Sequence, residues 1–243
     1  MARRCALRLQ PGTMAVAVVM LAALSCAAAA RAVPPRKVTV HYDISYNGAT
    51  IAEGSETLEH DGLTYRLYSE TRGKGVLAVL YRGAIKRTSK GTILATGLRP
   101  FEFTDQRGER APETARFDWS NRTVLQERNN GHRQTVAAEN DMQDRLSFLW
   151  SFSFGAPQGR EISATVVDGR GTTRYRYEIA GKETLKTPAG SFETLRLVKQ
   201  RDAGDVRGTE IWLATAHDFI PVRLLVIEKD GTRMDTVLTR IGS

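Results

Sequence analysis

Histidine is the side chain best suited to acid–base chemistry near neutral pH, and it is also a common metal ligand. The chain has four, namely His41, His60, His132 and His217. None belongs to an HExxH or HxxEH motif, which would bring two histidines and a carboxylate to one zinc ion. His217 is followed by Asp218, but neighbouring residues of a strand point to opposite faces, which disfavours a dyad. The histidines therefore predict no catalytic residue and no metal site.

Motifs for nucleophilic or phosphate chemistry do not occur in the sequence either. It contains no GxSxG elbow and no SxxK motif. The segment Arg72-Gly73-Lys74-Gly75 is the nearest match to a phosphate loop, but no helix follows to supply aligned N–H donors, and we interpret it as a flexible turn. We therefore predict no cofactor and no enzyme activity. One alternative stays open, a hydrolase whose site is assembled from scattered residues such as His41, Asp118 and His217.

The first 32 of the 243 residues are typical of an export signal. A basic start with Arg3, Arg4 and Arg8 precedes an uncharged apolar stretch from Met14 to Leu24. Those eleven residues are too few to span a bilayer, which needs about 20 apolar residues in a helix. We predict cleavage after Ala32, a periplasmic location and no transmembrane helix in the mature protein.

A lipid anchor at Cys26 is the alternative for this region. Cys26 follows a small residue, Ser25, at the end of the apolar stretch, but Ala23 occupies the position where a lipobox usually has leucine. The other cysteine, Cys5, also lies within the first 32 residues. Cleavage after Ala32 therefore predicts a mature chain without disulfides or thiol chemistry.

The whole chain carries a formal net charge of +8, and a basic chain can indicate a nucleic-acid partner. Removing residues 1–32, with Arg3, Arg4, Arg8 and Arg31, leaves 31 basic against 27 acidic residues, a net charge of +4. Aromatic and basic residues do alternate in Arg174-Tyr175-Arg176-Tyr177, but in a strand this pattern turns the arginines to solvent and the tyrosines inward. Neither feature predicts a nucleic-acid partner.

The elements that must position any site are mostly short strands. Val38, Val40, Tyr42 and Ile44 alternate with polar residues, and Asn47-Gly48 then supplies a tight hairpin turn. Similar turn dipeptides recur along the chain. We predict a mostly β protein, a curved antiparallel sheet or partly closed β-barrel of about twelve strands with one short helix near the middle. The predicted organisation is a signal peptide (1–32), an exposed leader (33–37) and a single all-β domain (38–243).

The predicted helix covers Asp141 to Phe154. Apolar residues recur there at helical spacing, Asn140 stands at the N-cap position, and Gly155 with Pro157 ends the segment. Its apolar surface is wide, which indicates burial on more than one side. Three roles stay open: a plug for the curved sheet, the wall of an apolar pocket, or a partner-binding helix.

Two late strands are apolar on both faces, around Ile211-Trp212-Leu213 and from Val222 to Ile227. Such strands are either covered on both sides or line a hydrophobic hollow. If a hollow exists, the helix and these strands supply its predicted ligand-binding residues: Leu146, Leu149, Trp150, Phe152, Trp212, Leu224 and Val226.

Several landmarks occur in a characteristic order along the chain. They are Tyr42, Gly48 and Gly54; Leu98 and Pro100; Phe117-Asp118-Trp119; Asp144-Arg145-Leu146-Ser147; Tyr175, Gly181 and Leu185; Thr187-Pro188-Ala189-Gly190-Ser191-Phe192; Trp212-Leu213-Ala214; and Ile220-Pro221-Val222-Arg223. In this order the sequence resembles the family called domain of unknown function 3108, exported proteins of Gram-negative bacteria, over residues 38 to 240.

The resemblance implies a curved, partly closed antiparallel β-structure and a periplasmic or outer-membrane-facing location, with no known activity and no catalytic residue. The architecture is also similar to periplasmic lipoprotein carriers of the LolA and LolB type, an analogy of fold only. The first functional hypothesis is an exported protein that holds an apolar or lipid ligand or assists envelope assembly. The second is a solidly packed structural or protein-interaction module with an envelope protein partner.

Overall fold

The structure is a computed structural model that describes residues 33–75, 78, 83–201, 204 and 206–242. The predicted signal peptide, the cleavage site after Ala32 and the alternative anchor Cys26 lie outside the described residues. They remain predictions. Of the predicted leader, Val33 is exposed but Pro34 is buried, its carbonyl oxygen 3.0 Å from Nε2 of His60.

Fifteen strands and one helix are described. They are β1 (Lys37–Tyr46), β2 (Ala49–His60), β3 (Thr64–Gly73), β4 (Ile85–Leu94), β5 (Gly97–Arg107), β6 (Glu113–Asp118), β7 (Thr123–Glu127), β8 (Arg133–Ala137), β9 (Met142–Asp144), α1 (Arg145–Phe154), β10 (Glu161–Val167), β11 (Thr172–Thr187), β12 (Gly190–Lys199), β13 (Gly208–Ala214), β14 (Ile220–Ile227) and β15 (Arg233–Gly242). The mostly β fold is confirmed, with more strands than the twelve or so that we expected.

All fifteen strands belong to one sheet. Its order is β8-β7-β6-β5-β4-β3-β2-β1-β15-β14-β13-β12-β11-β10-β9, so the first and last strands of the chain pair in the middle. Every pairing is antiparallel except the short parallel contact of β9 with β10. Tight turns join most neighbours, and the predicted Asn47-Gly48 turn has the positive φ angles, 47° and 86°, that such hairpins require.

Helix α1 packs between the two halves of this curved sheet. It contacts β3, β4 and β5 on one side and β10 and β14 on the other. Leu146, Trp150 and Phe154 lie in a core with residues of β1–β3, β5–β7 and β12–β15, whereas Phe148 and Phe152 pack with β10–β13. The wide apolar surface predicted from the sequence is therefore buried on both sides, because the sheet curves around the helix.

The helix begins four residues later than predicted. Its N-cap is Asp144, whose Oδ1 accepts hydrogen bonds from the backbone N–H groups of Leu146 and Ser147, both at 2.8 Å. Ser147 Oγ in turn accepts from the backbone N–H of Asp144 at 2.8 Å, which completes a capping box. The prediction of Asn140 as the N-cap is wrong, because Met142–Asp144 instead pair in parallel with β10.

The far ends of the sheet approach each other without sharing a backbone ladder. The turn between β10 and β11 lies against β6 and β7, where Gln126 Nε2 donates to the carbonyl oxygens of Asp168 and Gly171, both at 2.7 Å. Arg170 Nε also forms an ion pair with Glu113 Oε2 at 2.6 Å. Side chains thus hold together a curved sheet that is not closed into a barrel.

Candidate functional site

A cavity of about 660 Å³ lies between α1 and the sheet. Its lining comes from β1–β4, from α1, from β10–β15 and from the segment before β13. Both halves of the sheet therefore bound the same space. Exposed lining residues, among them Thr173, Arg207 and Glu228, mark the side on which it meets solvent.

One wall of the cavity is apolar and aromatic. Phe148 of α1 stacks on Tyr177 with ring centroids 5.6 Å apart, and Tyr175 lies 6.2 Å from Tyr177 and 6.4 Å from Phe148. We call these three rings the aromatic wall. Tyr177 is 3% exposed, and burial raises the pKa of its hydroxyl above the ordinary value. Leu149 and Val166 also line the cavity.

The opposite wall carries a row of polar side chains on neighbouring strands. Glu56 of β2 pairs in register with Ser69 of β3, Ser69 with Arg87 of β4, and Arg87 with Asp105 of β5. Cross-strand partners share one face of a sheet, so these four residues form a continuous polar row. Glu56, Ser69 and Arg87 line the cavity directly.

Each charged member of the polar row has a defined partner. Trp150 Nε1 donates to Glu56 Oε2 at 2.8 Å, and Arg87 Nε donates to Asp105 Oδ2 at 3.1 Å. Arg107 forms a further ion pair with Asp105 at 3.0 Å. These bonds hold the charges in place on the cavity wall.

The electrostatics of the row follow from burial and from the nearby guanidinium groups. Burial raises the pKa of Glu56, although Trp150, Arg87 and Ser69 oppose the rise. Burial would also raise the pKa of Asp105, but the hydrogen bonds and charges of Arg107 and Arg87 hold it below the ordinary value. The row is therefore a mixed positive and negative surface rather than a single-sign patch.

Four basic residues line the cavity outside the polar row, namely Arg145, Lys199, Arg207 and Arg223. Lys199 Nζ lies 5.2 Å from the ring centre of Tyr175, and Arg145 forms an ion pair with Asp168 at 2.8 Å. Arg207 lines the exposed side together with Glu228.

Four of the seven sequence-predicted ligand residues line the cavity: Leu146, Leu149, Leu224 and Val226. The other three are buried away from its lining. Trp150 is fully buried and reaches the cavity only through its bond to Glu56, and Phe152 packs in the core beside Phe148.

Trp212 lies on the other face of β13 from the cavity-lining residues Thr209 and Ile211. The guanidinium carbon atoms of Arg223 and Arg196 lie 4.6 Å and 5.5 Å from its ring centre. The double-sided apolarity of this strand thus has two causes, the cavity on one face and a cation-covered tryptophan on the other.

The polar row and the aromatic wall are the parts that our sequence reading missed as a site. A signal for the row does exist: Glu56, Arg87 and Asp105 occupy the same alternation as the buried residues Leu58, Ser89 and Phe103. A charged residue on the inward alternation of successive strands indicates a polar interior feature.

The residues of the alternative hydrolase site make contacts in separate places. His41 Nε2 lies 2.9 Å from a guanidinium nitrogen of Arg240, and Asp118 accepts from the backbone and side chain of Asn121 at 2.9 and 2.7 Å. The ring of His217 packs edge-on against Phe192 at 5.2 Å. Within the described ranges, no three His, Asp or Glu side chains are grouped to hold a metal ion.

The fold and the cavity together define a class: curved, mostly antiparallel β proteins with an interior helix and a hollow beside it. The chain belongs to the family of proteins of unknown function named DUF3108, whose model matches residues 41–238. The resemblance stated from the sequence is thereby confirmed. No curated protein matches the chain.

Solved structures provide further comparisons. A β-barrel-like protein of the DUF1849 family from Brucella abortus aligns with a TM-score of 0.52 at 10% identity, over 86% of this chain and 98% of that chain. This likeness supports the fold alone. A candidate lipoprotein from Parabacteroides distasonis aligns at 0.39 and 10% identity, over 86% and 97% of the two chains. A candidate exported protein with a YmcC-like fold from Bacteroides fragilis aligns at 0.41 and 8% identity, over the same shares.

Among the described residues, no helix has the length and apolar character needed to cross a membrane.

Proposed function

We propose that this protein is an exported, non-enzymatic binding protein that holds an apolar ligand in the cavity between α1 and the sheet. The observation that carries the proposal is the cavity itself, whose volume of about 660 Å³ falls within the range of small-molecule sites. The solidly packed module is the less favoured alternative, because a hollow of this size is a departure from close packing.

The composition of the walls favours an apolar occupant. Phe148 and Leu149 of α1 and Leu224 and Val226 of β14 present apolar surface to the cavity. Covering such surface with a ligand gains about 25 cal/mol per Å². The charged groups on the opposite wall, Glu56 and Arg87, are engaged with protein partners, which suits binding better than reaction.

The periplasm is the compartment that we propose for this binding. The support comes from the basic start, short apolar stretch and small residues of the first 32 positions. Holding an apolar envelope component, or handing it on during envelope assembly, is the corresponding role.

Filling the cavity tests the proposal. The uncharged fluorescent probe N-phenyl-1-naphthylamine is titrated into the purified mature protein and into the variant Val226→Trp, which places a bulky ring in the cavity lining. We expect the wild type to bind the probe and the variant to lose affinity by about tenfold or more, because the indole occupies the space of the ligand.

The matched control is Leu94→Trp, which adds the same side chain at a 41% exposed residue outside the cavity lining. It should bind the probe as the wild type does. Equal affinity in all three proteins, with near-native circular dichroism, would place the binding elsewhere and contradict the proposal.

A further inference from the structure

We propose that the ligand is an amphiphile whose polar end is an uncharged, hydroxyl-bearing group held between Glu56 and Arg87. This inference rests on the proposed function and assigns a chemical class and an orientation to the ligand. Its basis is the polar row, which faces the aromatic wall across the same cavity.

The polar row is built into the sheet rather than contributed by flexible surface side chains. Glu56, Ser69 and Arg87 are consecutive register partners on β2, β3 and β4, and Ser69 is only 4% exposed. Behind them Asp105, 3% exposed, anchors Arg87. A polar ligand group that reaches this wall therefore meets donors and acceptors already held in position, which lowers the cost of ordering them.

Outside the polar row the lining also holds Arg145, Arg223 and Lys199. Arg145 and Arg223 are paired with Asp168 and Asp235 at 2.8 and 2.7 Å, and Lys199 lies over the ring of Tyr175.

Within the polar row itself, the alternation of charge favours a neutral group. A ligand carboxylate would meet the carboxylate of Glu56, with Asp105 behind Arg87. A ligand ammonium would meet the guanidinium of Arg87, and the guanidinium of Arg107 binds the same Oδ2 of Asp105 as Arg87 does. In a half-buried cavity such like-charge pairs are poorly screened.

A hydroxyl avoids both conflicts, because it donates one hydrogen bond and accepts others. It can donate to the Glu56 carboxylate and accept from the Arg87 guanidinium. Hydrogen bonds to charged groups are also stronger than those between neutral groups. At this wall, hydrogen bonds to Glu56 and Arg87 thus replace those that the hydroxyl loses when it leaves water.

The apolar body then lies against the opposite side. The aromatic wall, with Leu149 and Leu224, presents apolar surface from α1, β11 and β14. The inferred orientation places the polar end toward β2–β4 and the apolar body toward β11–β14.

Three twelve-carbon probes that differ only at the head test this inference: dodecanol, dodecanoate and dodecylamine. Each is titrated by displacement of N-phenyl-1-naphthylamine at neutral pH from the wild type, from Glu56→Gln and from Glu53→Gln. Glu56→Gln keeps an oxygen that accepts from Trp150 Nε1 but removes the charge. Glu53 is exposed on the outer face of the same strand and serves as the matched control.

We expect dodecanol to be the tightest wild-type ligand of the three. The Glu56→Gln substitution should strengthen the binding of dodecanoate and weaken the binding of dodecylamine, because it removes a negative charge that repels the first and attracts the second. We expect the ratio of the two affinities to change by about tenfold or more. The hydrophobic contribution of each probe's alkyl chain is the same for the wild type and for the variant. It therefore cancels when their affinity ratios are compared, and the change in the ratio reports the charge of Glu56. Glu53→Gln should leave the ratio unchanged.

Two results would overturn the inference while the proposed function stands: a wild-type preference for dodecanoate or dodecylamine, or a ratio that does not respond to Glu56→Gln while the probes bind. If Glu56→Gln does not fold, the order of the three probe affinities for the wild type still tests whether the site prefers a neutral head. Failure of all three probes and of the fluorescent probe to bind would overturn the proposed function as well.

Discussion

Asp144 is a fully buried carboxylate at the start of α1, where three donors satisfy it. Its Oδ1 accepts from the backbone of Leu146 and Ser147, and its Oδ2 accepts from Ser89 Oγ at 2.5 Å. Ser89 Oγ in turn lies 3.0 Å from the hydroxyl of Tyr65. Burial nevertheless raises the pKa of Asp144 to about 6.

The raised pKa of Asp144 predicts a pH dependence with a definite sign. Between about pH 4 and 6 the folded protein keeps the Asp144 proton while the unfolded chain has lost it, so the folded state binds more protons and stability falls as pH rises. We expect the wild type to lose roughly 3 kcal/mol relative to Asp144→Asn between pH 4 and 7. Urea unfolding of both proteins across this range measures the difference.

The control for this prediction is Asp118→Asn. Hydrogen bonds from Asn121 lower the pKa of the exposed Asp118, so its contribution is present at neutral pH and is lost as pH falls. The two wild-type-minus-variant curves should therefore have opposite slopes. If the unfolding free energy of the wild type minus that of Asp144→Asn stays constant or rises with pH, the raised pKa of Asp144 is refuted.

At this scale the sequence reveals residue types but not their partners. The capping role of Asp144 was missed because Asn140 fits the same pattern four positions earlier, and only the pairing of β9 with β10 separates them. The polar row depends on the register of β2 to β5, and strand register is a long-range property that alternation within one strand does not define.

Helix α1 is fixed to the sheet at its C-terminal end by a close backbone contact. A Cβ atom at Gly155 would lie 2.0 Å from the carbonyl oxygen of Thr96, in the turn between β4 and β5. Nearby, the backbone N–H of Leu98 donates to Ser151 Oγ at 3.1 Å. This contact positions the face of α1 that lines the cavity.

We therefore expect Gly155→Ala to lower the free energy of unfolding by about 1–3 kcal/mol, because the helix end must move away from the turn. Chemical denaturation measures this value. The matched substitution is Gly171→Ala, where an added Cβ would meet no atom within 4 Å. Its stability should stay within about 1 kcal/mol of the wild type. Equal effects of the two substitutions would show that the contact at Gly155 does not fix the helix.

The elements themselves were largely predictable. The strands near Val38–Ile44 and the Asn47-Gly48 turn followed from alternation and turn chemistry, and the end of the helix at Gly155 followed from its breaker residues. The short strand β9 was not predictable, because three residues carry too little periodicity to compete with an adjacent helical pattern.

The whole molecule is a single curved sheet around one helix in the described ranges, with its far ends joined through side chains. Family landmarks in the sequence implied a curved, partly closed antiparallel β-structure; the sheet is curved and mostly antiparallel, and the DUF3108 match confirms the family. The contact of Gln126 with the turn at Asp168 and Gly171 could not be predicted, since it joins residues more than forty positions apart by side-chain hydrogen bonds. The cavity results from this curvature and from α1.

The central claim is that this cavity holds an apolar ligand, and native mass spectrometry tests it most directly. The protein is purified gently from the envelope fraction of its own host, weighed intact, and extracted with organic solvent. We predict a stoichiometric amphiphilic species that is released by extraction and that does not co-purify with Val226→Trp. A clean apoprotein mass with nothing extractable, under conditions that keep the protein folded, would contradict the claim.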